Sequence, residues 1–133
     1  MSKKFCLLSV SDKSSLKLVL PVLKKYAYTL LSTGGTYEFI KKNGFEVISV
    51  DEYTSHPEIL EGRVKTLHPK IHGGILYKRE NKTHKKTILD LNISPIDIVI
   101  VNLYPFKQTI KKKNVTFEEA IENIDIGGPS LIR

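Results

Sequence analysis

The chain has 133 residues, a length that suits one domain and suffices to bury a core without disulfides or structural metals. Its single cysteine, Cys6, excludes an intrachain disulfide and favours a reducing compartment. The first residues contain no apolar run long enough for a signal peptide, and no stretch reaches the roughly 18 apolar residues of a membrane span. We therefore expect a cytoplasmic protein without a membrane partner.

The formal net charge is +7, which raises the question of a nucleic-acid partner. The lysines occur in scattered groups rather than in one basic stripe interleaved with aromatic residues, and this argues against nucleic acid. A solvated lysine-rich surface is the general interpretation, and a phosphorylated small substrate is the functional use that we prefer. The groups are Lys24-Lys25, Lys41-Lys42, Lys85-Lys86 and residues 111–113.

Short apolar runs alternate with amphipathic stretches in the first half of the chain. Residues 5–10 predict a buried strand, and apolar side chains at helical spacing over residues 16–23 predict a helix. Ser11 or Asp12 would cap this helix, and Pro21 should bend it or end a turn. Strand, helix and strand are then predicted at residues 28–31, 36–43 (closed by Gly44) and 47–50.

The second half continues the alternation. A polar-faced helix over residues 83–91 precedes a strand over 96–103, whose run of β-branched residues is typical of a sheet covered on both faces. Thr116 and Glu119 form a capping box for a helix that extends to Ile124, and the sequence Gly-Gly-Pro at 127–129 opens another. The whole pattern predicts an α/β fold, an open parallel sheet with helices on both faces.

Polar residues follow three of the predicted strands, at residues 9–13, 32–36 and 102–106. Ligands bind at the carboxyl ends of strands in open parallel sheets, so we expect these loops to share one pocket. The loop at 32–36 combines two glycines, hydroxyl groups and the start of a helix, as a phosphate cradle does. An ordinary strand-to-helix turn has the same composition, because short glycine-rich loops are weak signals.

The segment 61–69 is a further candidate, since it lacks clean periodicity and carries two cations, a hydroxyl and an imidazole. Such a segment suits anion binding, and an exposed basic loop is the alternative. His68 and His72 lie four residues apart without a third matching ligand, so capping or packing is preferred to a metal site. Cys6 lies inside a predicted strand and is interpreted as a buried apolar residue rather than a nucleophile.

Five segments of the chain resemble the signature segments of one enzyme family. They are residues 9–13 (Ser-Val-Ser-Asp-Lys), 32–36 (Ser-Thr-Gly-Gly-Thr), 62–69 (Gly-Arg-Val-Lys-Thr-Leu-His-Pro), 102–106 (Asn-Leu-Tyr-Pro-Phe) and 124–129 (Ile-Asp-Ile-Gly-Gly-Pro). The family is the bifunctional phosphoribosylaminoimidazolecarboxamide formyltransferase and inosine-monophosphate (IMP) cyclohydrolase of purine biosynthesis. The loop at 32–36 is the least specific, because methylglyoxal synthase and its relatives carry similar loops.

The resemblance runs from Phe5 to Arg133 and implies a methylglyoxal-synthase-like fold. Residues 1–133 would be the amino-terminal portion of the cyclohydrolase domain, incomplete at its carboxyl terminus and without the transformylase domain. The implied reaction closes the purine ring of a formylated aminoimidazole carboxamide ribotide to give IMP and water, without a metal or organic cofactor. The implied partners are this nucleotide and, in the full-length family, a second copy in a homodimer.

The resemblance also implies site residues, position by position. Lys65 and Tyr104 would stabilise the oxyanion that forms at the formyl group, and Asp125 would accept a proton or orient the amide. A plain helix N-cap is the alternative for Asp125. The residues that match nucleotide-contacting positions are Ser11, Asp12, Lys13, Thr33, Gly34, Gly35, Thr36, Arg63, Val64, Lys65, Thr66, Val101, Asn102, Asp125 and Ile126.

This chain departs from the family pattern at one place. In the family, a lysine that acts in proton transfer comes shortly after the segment matching residues 131–133, and this chain stops before that position. We therefore expect this chain to be a poor catalyst by itself. The alternative function is a methylglyoxal-synthase-like module that binds a phosphorylated metabolite without turnover. The segments 65–69 and 103–106 favour the cyclohydrolase.

Overall fold

The structure, a computed structural model, describes residues 3–103 and 106–132. Its strands are β1 Lys4–Ser9, β2 Tyr28–Ser32, β3 Ile48–Ser49 and β4 Ile96–Val101. They form a central parallel sheet in the order β3-β2-β1-β4, which confirms the predicted α/β class.

The register of the sheet places three strand ends side by side. Ser9 at the end of β1 pairs with Val101 at the end of β4. On the other side of β1, Leu8 pairs with Ser32 at the end of β2. The loops that follow β1, β2 and β4 therefore leave the sheet at the same edge.

Helices cover both faces of the sheet, as the sequence predicts. The helices are α1 Leu16–Lys25, α2 Gly34–Lys42, α3 Val50–Thr54, α4 Pro69–Leu76, α5 Lys82–Asp90, α6 Phe106–Ile110, α7 Phe117–Glu122 and α8 Gly127–Ile132. Along β1, Cys6 and Leu8 belong to one buried cluster, to which α1 and α2 contribute, while Phe5 and Leu7 belong to a second cluster with α3, α4 and α8. No helix of the described residues is both long and apolar enough to cross a membrane.

Two local expectations in the first half are wrong. Neither Ser11 nor Asp12 caps α1, because Ser15 occupies the N-cap position and the Asp12 carboxylate accepts a hydrogen bond from the amide of Ser14. The helix predicted over 16–23 is confirmed as α1, which contains Pro21 and extends beyond it to Lys25. The strand predicted over 47–50 shortens to β3, since Ser49 accepts a hydrogen bond from the amide of Glu52 and so starts α3.

The remaining differences concern element ends. The strand predicted over 96–103 ends at Val101, and the helix predicted from residue 36 begins two residues earlier, at Gly34. The capping box of Thr116 and Glu119 is confirmed, although its helix ends at Glu122 rather than Ile124. The helix predicted over 83–91 is α5, and the helix opened by Gly-Gly-Pro is α8.

Candidate functional site

A cleft of about 580 Å³ lies at the edge of the sheet where β1, β2 and β4 end. The three loops predicted to share a pocket all contribute to its lining, and the segments 61–67 and 121–128 complete it. The lining residues fall within the segments 9–13, 33–36, 61–67 and 121–128, together with Asn102. The parallel register explains this convergence, because it brings the carboxyl ends of the three strands together.

Two lysine ammonium groups flank the turn that opens α2. Lys13 Nζ donates to the carbonyl oxygens of Val10 and Ser11, both at 3.2 Å, and lies 3.5 Å from the point that a Cβ on Gly35 would occupy. Lys65 Nζ lies 3.4 Å from the corresponding point on Gly34, whose φ of +54° favours glycine. The absence of these Cβ atoms therefore leaves the backbone of the turn open between two cations.

The amino terminus of α2 adds further donors to this place. Thr33 occupies the N-cap position without a side-chain capping bond, and its hydroxyl instead lies 3.5 Å from Glu58 Oε2. The first-turn amides of a helix have no intrahelical partner and carry the positive end of the helix dipole. Glycine, helix terminus and ammonium groups together form a place suited to an anion.

Thr36 serves the scaffold as well as the cleft. Its buried hydroxyl donates to the carbonyl of Val10 at 2.9 Å and accepts from the amide of the same residue at 3.1 Å. These bonds fasten the end of β1 to the start of α2. A ligand would therefore meet Thr36 mainly through its backbone.

Asn102 ties the end of β4 to the loop after β1. Its Oδ1 accepts from the amide of Ser11 at 2.6 Å, and its Nδ2 donates to the carbonyl of Asp12 at 3.0 Å. The Ser11 hydroxyl lies 3.0 Å from both Asn102 Oδ1 and the carbonyl of Leu103, so it can donate to either. The hydrogen bond from Ser14 lowers the pKa of the exposed Asp12 carboxyl, which does not line the cleft.

Arg63 bridges two walls of the cleft. Its Nε donates to Glu122 Oε1 of α7 at 3.2 Å, its Nη2 donates to the same oxygen, and its Nη1 donates to the carbonyl of Leu60 at 3.3 Å. The hydrogen bond with Glu122 and its negative charge raise the pKa of Arg63. The preceding turn is unusual because Leu60, Glu61 and Gly62 all have positive φ angles, of 54°, 56° and 84°.

Asp125 lies at the start of α8, on the cleft wall. Its Oδ1 accepts from the amide of Gly128 at 2.9 Å, which is the capping contact that the alternative interpretation of this residue predicts. Gly128 is buried, and a Cβ there would come within 2.6 Å of Asp125 Oδ2. Because Gly128 has no Cβ, the Asp125 carboxylate has room to lie against the first turn of α8.

The structure brings most of the predicted site residues to one cleft. The backbone of Gly34 opens the turn between the lysines, whereas Val64 pairs with Ile59 and Val101 ends β4. Tyr104 lies outside the described residues. The predicted residues that line the cleft are Ser11, Lys13, Thr33, Gly35, Thr36, Arg63, Lys65, Thr66, Asn102, Asp125 and Ile126.

The sequence interpretation missed the part of the cleft wall formed by Ile121 and Glu122, whereas Glu61 and Ile124 lie in segments that it had singled out. Glu122 follows a capping box and resembles any exposed helical glutamate, so its pattern gives no sign of a contact with Arg63. The contact joins residues 59 positions apart. A glutamate near the end of a predicted exposed helix is common, so nothing in the sequence distinguishes Glu122 as a partner of the basic loop.

The histidines and the cysteine have structural roles. His68 Nδ1 accepts from the amide of Lys70 at 3.0 Å and so caps α4, and burial, His56 and Lys70 lower its pKa. His72 Nε2 lies 3.3 Å from the Ser130 hydroxyl. Burial raises the pKa of Cys6 to about 12, which keeps it a thiol. Within residues 3–103 and 106–132, no three His, Cys, Asp or Glu side chains are grouped as metal ligands.

Comparison with known proteins supports the expected relationship. The chain is 56% identical over 133 residues to the bifunctional purine biosynthesis protein PurH of Thermoanaerobacter sp. (strain X514), covering 100% of the chain and 26% of that protein. It is 58% identical over 130 residues to PurH of Lactobacillus acidophilus, covering 98% of the chain and 25% of that protein. The chain thus spans about a quarter of the length of these curated relatives.

A solved structure described as the crystal structure of ForH has a TM-score of 0.80 and 30% sequence identity, covering 98% of this chain and 66% of that one. The family model of the MGS-like domain matches residues 19–130. Because that match extends over most of the chain and the parallel sheet agrees with it, the chain belongs to the family of MGS-like domains.

Proposed function

We propose that the chain is the amino-terminal portion of an IMP cyclohydrolase domain and that its cleft binds the formylated ribotide and IMP. The observation that carries the proposal is the pair of ammonium groups, from Lys13 and Lys65, beside the glycine turn in the cleft that Asp125 also lines. The sequence similarity to bifunctional purine biosynthesis proteins supports a purine ribotide as the ligand.

The ligand phosphate is assigned to the amino terminus of α2 beside Lys13, which leaves Lys65 for the reacting end of the ligand. Among the described residues, neither Lys13 nor Lys65 forms a salt bridge, whereas the charge of Arg63 is matched by Glu122. A dianion therefore gains most next to Lys13 and the first-turn amides of α2. The remainder of the ribotide would extend along the cleft toward Arg63 and Asp125.

The proposed chemistry is an intramolecular condensation. The carboxamide nitrogen attacks the formyl carbon, a carbon–nitrogen bond forms, and the proton that this nitrogen loses goes to the carbonyl oxygen, which becomes a hydroxyl group. The formamide nitrogen then gives up its proton and forms a C=N bond to the same carbon, while the C–O bond breaks and the hydroxyl group, with that proton, leaves as water. Holding the two groups together can contribute about 7–11 kcal/mol in favourable cases. Lys65, with Tyr104 as a second donor, would stabilise the oxyanion by about 2.7–4 kcal/mol per donor, and Asp125 would accept the nitrogen proton or orient the amide.

Two measurements test this function. Calorimetric titration with IMP and with inosine measures the contribution of the phosphate, and a spectrophotometric assay with the formylated ribotide measures ring closure. Binding of IMP in preference to inosine is expected, and equal affinity for both would refute the phosphate assignment. Binding of IMP and of the formylated ribotide without any ring closure, both by this chain and by one extended through the rest of the domain, would support the second function, a module that binds a phosphorylated metabolite without turnover.

A further inference from the structure

The Arg63–Glu122 pair belongs to the cleft wall but to no step of the proposed chemistry. Four residues line both the cleft and a shallower groove beside α7, namely Glu61, Arg63, Ile121 and Glu122. The ion pair therefore lies in the wall that separates the cleft from the groove. It joins the turn before Arg63 to the last residue of α7.

We infer that Glu122 is a positioning residue that holds the guanidinium of Arg63 in place for the bound ligand, an inference that rests on the proposed function. A guanidinium has five N–H donors in a rigid fork. Three of them are used by the described residues, through Nε and Nη2 to Glu122 and through Nη1 to Leu60. One N–H on Nη1 and one on Nη2 form no hydrogen bond among the described residues, although Nη1 also lies 3.7 Å from the exposed carboxylate of Glu61.

The backbone before Arg63 explains why such a support is needed. Leu60 and Glu61 adopt left-handed conformations that non-glycine residues rarely keep unless surrounding contacts enforce them. The amide–carbonyl pair between Ile59 and Val64 closes the turn, with bonds of 3.1 and 3.3 Å. The bond from Arg63 to Glu122 is the side-chain contact that ties this strained turn to α7.

The charges decide which part of the ligand Arg63 serves. Glu122 already matches the charge of Arg63, whereas Lys13 and Lys65 have no carboxylate partner among the described residues. A phosphate therefore binds at Lys13 and the amino terminus of α2, and the available N–H groups of Arg63 serve the part of the ligand beyond its phosphate. Loss of Glu122 should weaken the binding of the whole nucleotide but not that of free phosphate.

The test is a double-mutant cycle with two probes, IMP and inorganic phosphate, followed by nuclear magnetic resonance titration of the chain. Glu122→Gln should weaken IMP binding about two- to fivefold, the range of exposed charge pairs, and leave phosphate binding unchanged. Arg63→Ala should weaken IMP binding on the order of tenfold, and the double variant should be no weaker than Arg63→Ala. Glu118→Gln is the matched control, since it removes the same charge from α7 at a residue outside the cleft lining.

The outcomes separate this inference from the proposed function. Tighter IMP binding by Glu122→Gln would show that the carboxylate competes with the ligand, and unchanged binding would show that it does not act; either result overturns the inference. Equal weakening of phosphate and IMP would indicate a general loosening of the cleft and would also overturn it. If the unaltered chain binds neither probe, the proposed function itself fails.

Discussion

Replacement of Gly128 by alanine should detach the Asp125 carboxylate from its place. The new Cβ would lie 2.6 Å from Asp125 Oδ2 and 3.1 Å from Oδ1, so the carboxylate must move by about 0.8 Å to reach an ordinary separation of 3.4 Å. That movement breaks the hydrogen bond from the amide of Gly128, a capping contact worth about 1 kcal/mol. Alanine in a helix is otherwise favoured over glycine by about 0.5–1 kcal/mol.

A double-mutant cycle separates these two effects. In the Asp125→Ala background the clash is absent, so Gly128→Ala should stabilise the chain by about 0.5–1 kcal/mol. With Asp125 present, the same substitution should be neutral or destabilising, which gives a coupling energy of about 1 kcal/mol or more. Chemical denaturation of the four variants measures it. If Gly128→Ala has the same effect in both backgrounds, the reasoning about this contact is wrong.

Three further predictions concern buried, titrating and charged groups. Thr36→Val should lower the free energy of unfolding by about 1–3 kcal/mol because it leaves the buried amide of Val10 without its partner, although the Val10 carbonyl keeps the bond from Lys13 Nζ. Thr87→Val in exposed α5 should change it little in the same denaturation experiment. The pKa of His68 is lowered below 6.5 in the folded chain, so the stability that neutral His68 contributes is present above pH 6.5 and is lost as the pH falls below that value. His68→Asn keeps a hydrogen-bond acceptor for the amide of Lys70, and this acceptor does not titrate. The variant should therefore lose less stability than the original chain in unfolding curves from about pH 8 to 5, and parallel curves would assign the loss to another group. Lys13→Ala should weaken IMP binding about tenfold at low salt and less at high salt, with inosine binding unchanged, and calorimetry with Lys17→Ala as the equal-charge control checks this.

Some elements were predictable because their signals are local. The run at 98–101 and the capping box of Thr116 and Glu119 each depend on neighbouring residues, and the structure has both. Helix α4 was missed because it contains Gly73 and Gly74, which have poor helix propensity. Tertiary packing explains Gly74, since a Cβ there would come within 2.5 Å of the carbonyl oxygen of Ser94.

By itself, the sequence determined the alternation of strands and helices and the placement of polar loops after β1, β2 and β4. Given a parallel sheet, that placement already brings Lys13, Gly35 and Asn102 to one edge. The tertiary structure alone decided how side chains from distant segments meet there. It placed Glu122 on Arg63 and used the Thr36 hydroxyl to fasten β1, contacts that join residues 59 and 26 positions apart. Such contacts depend on how the helices and loops pack against the sheet, and no local pattern of residue types encodes that packing.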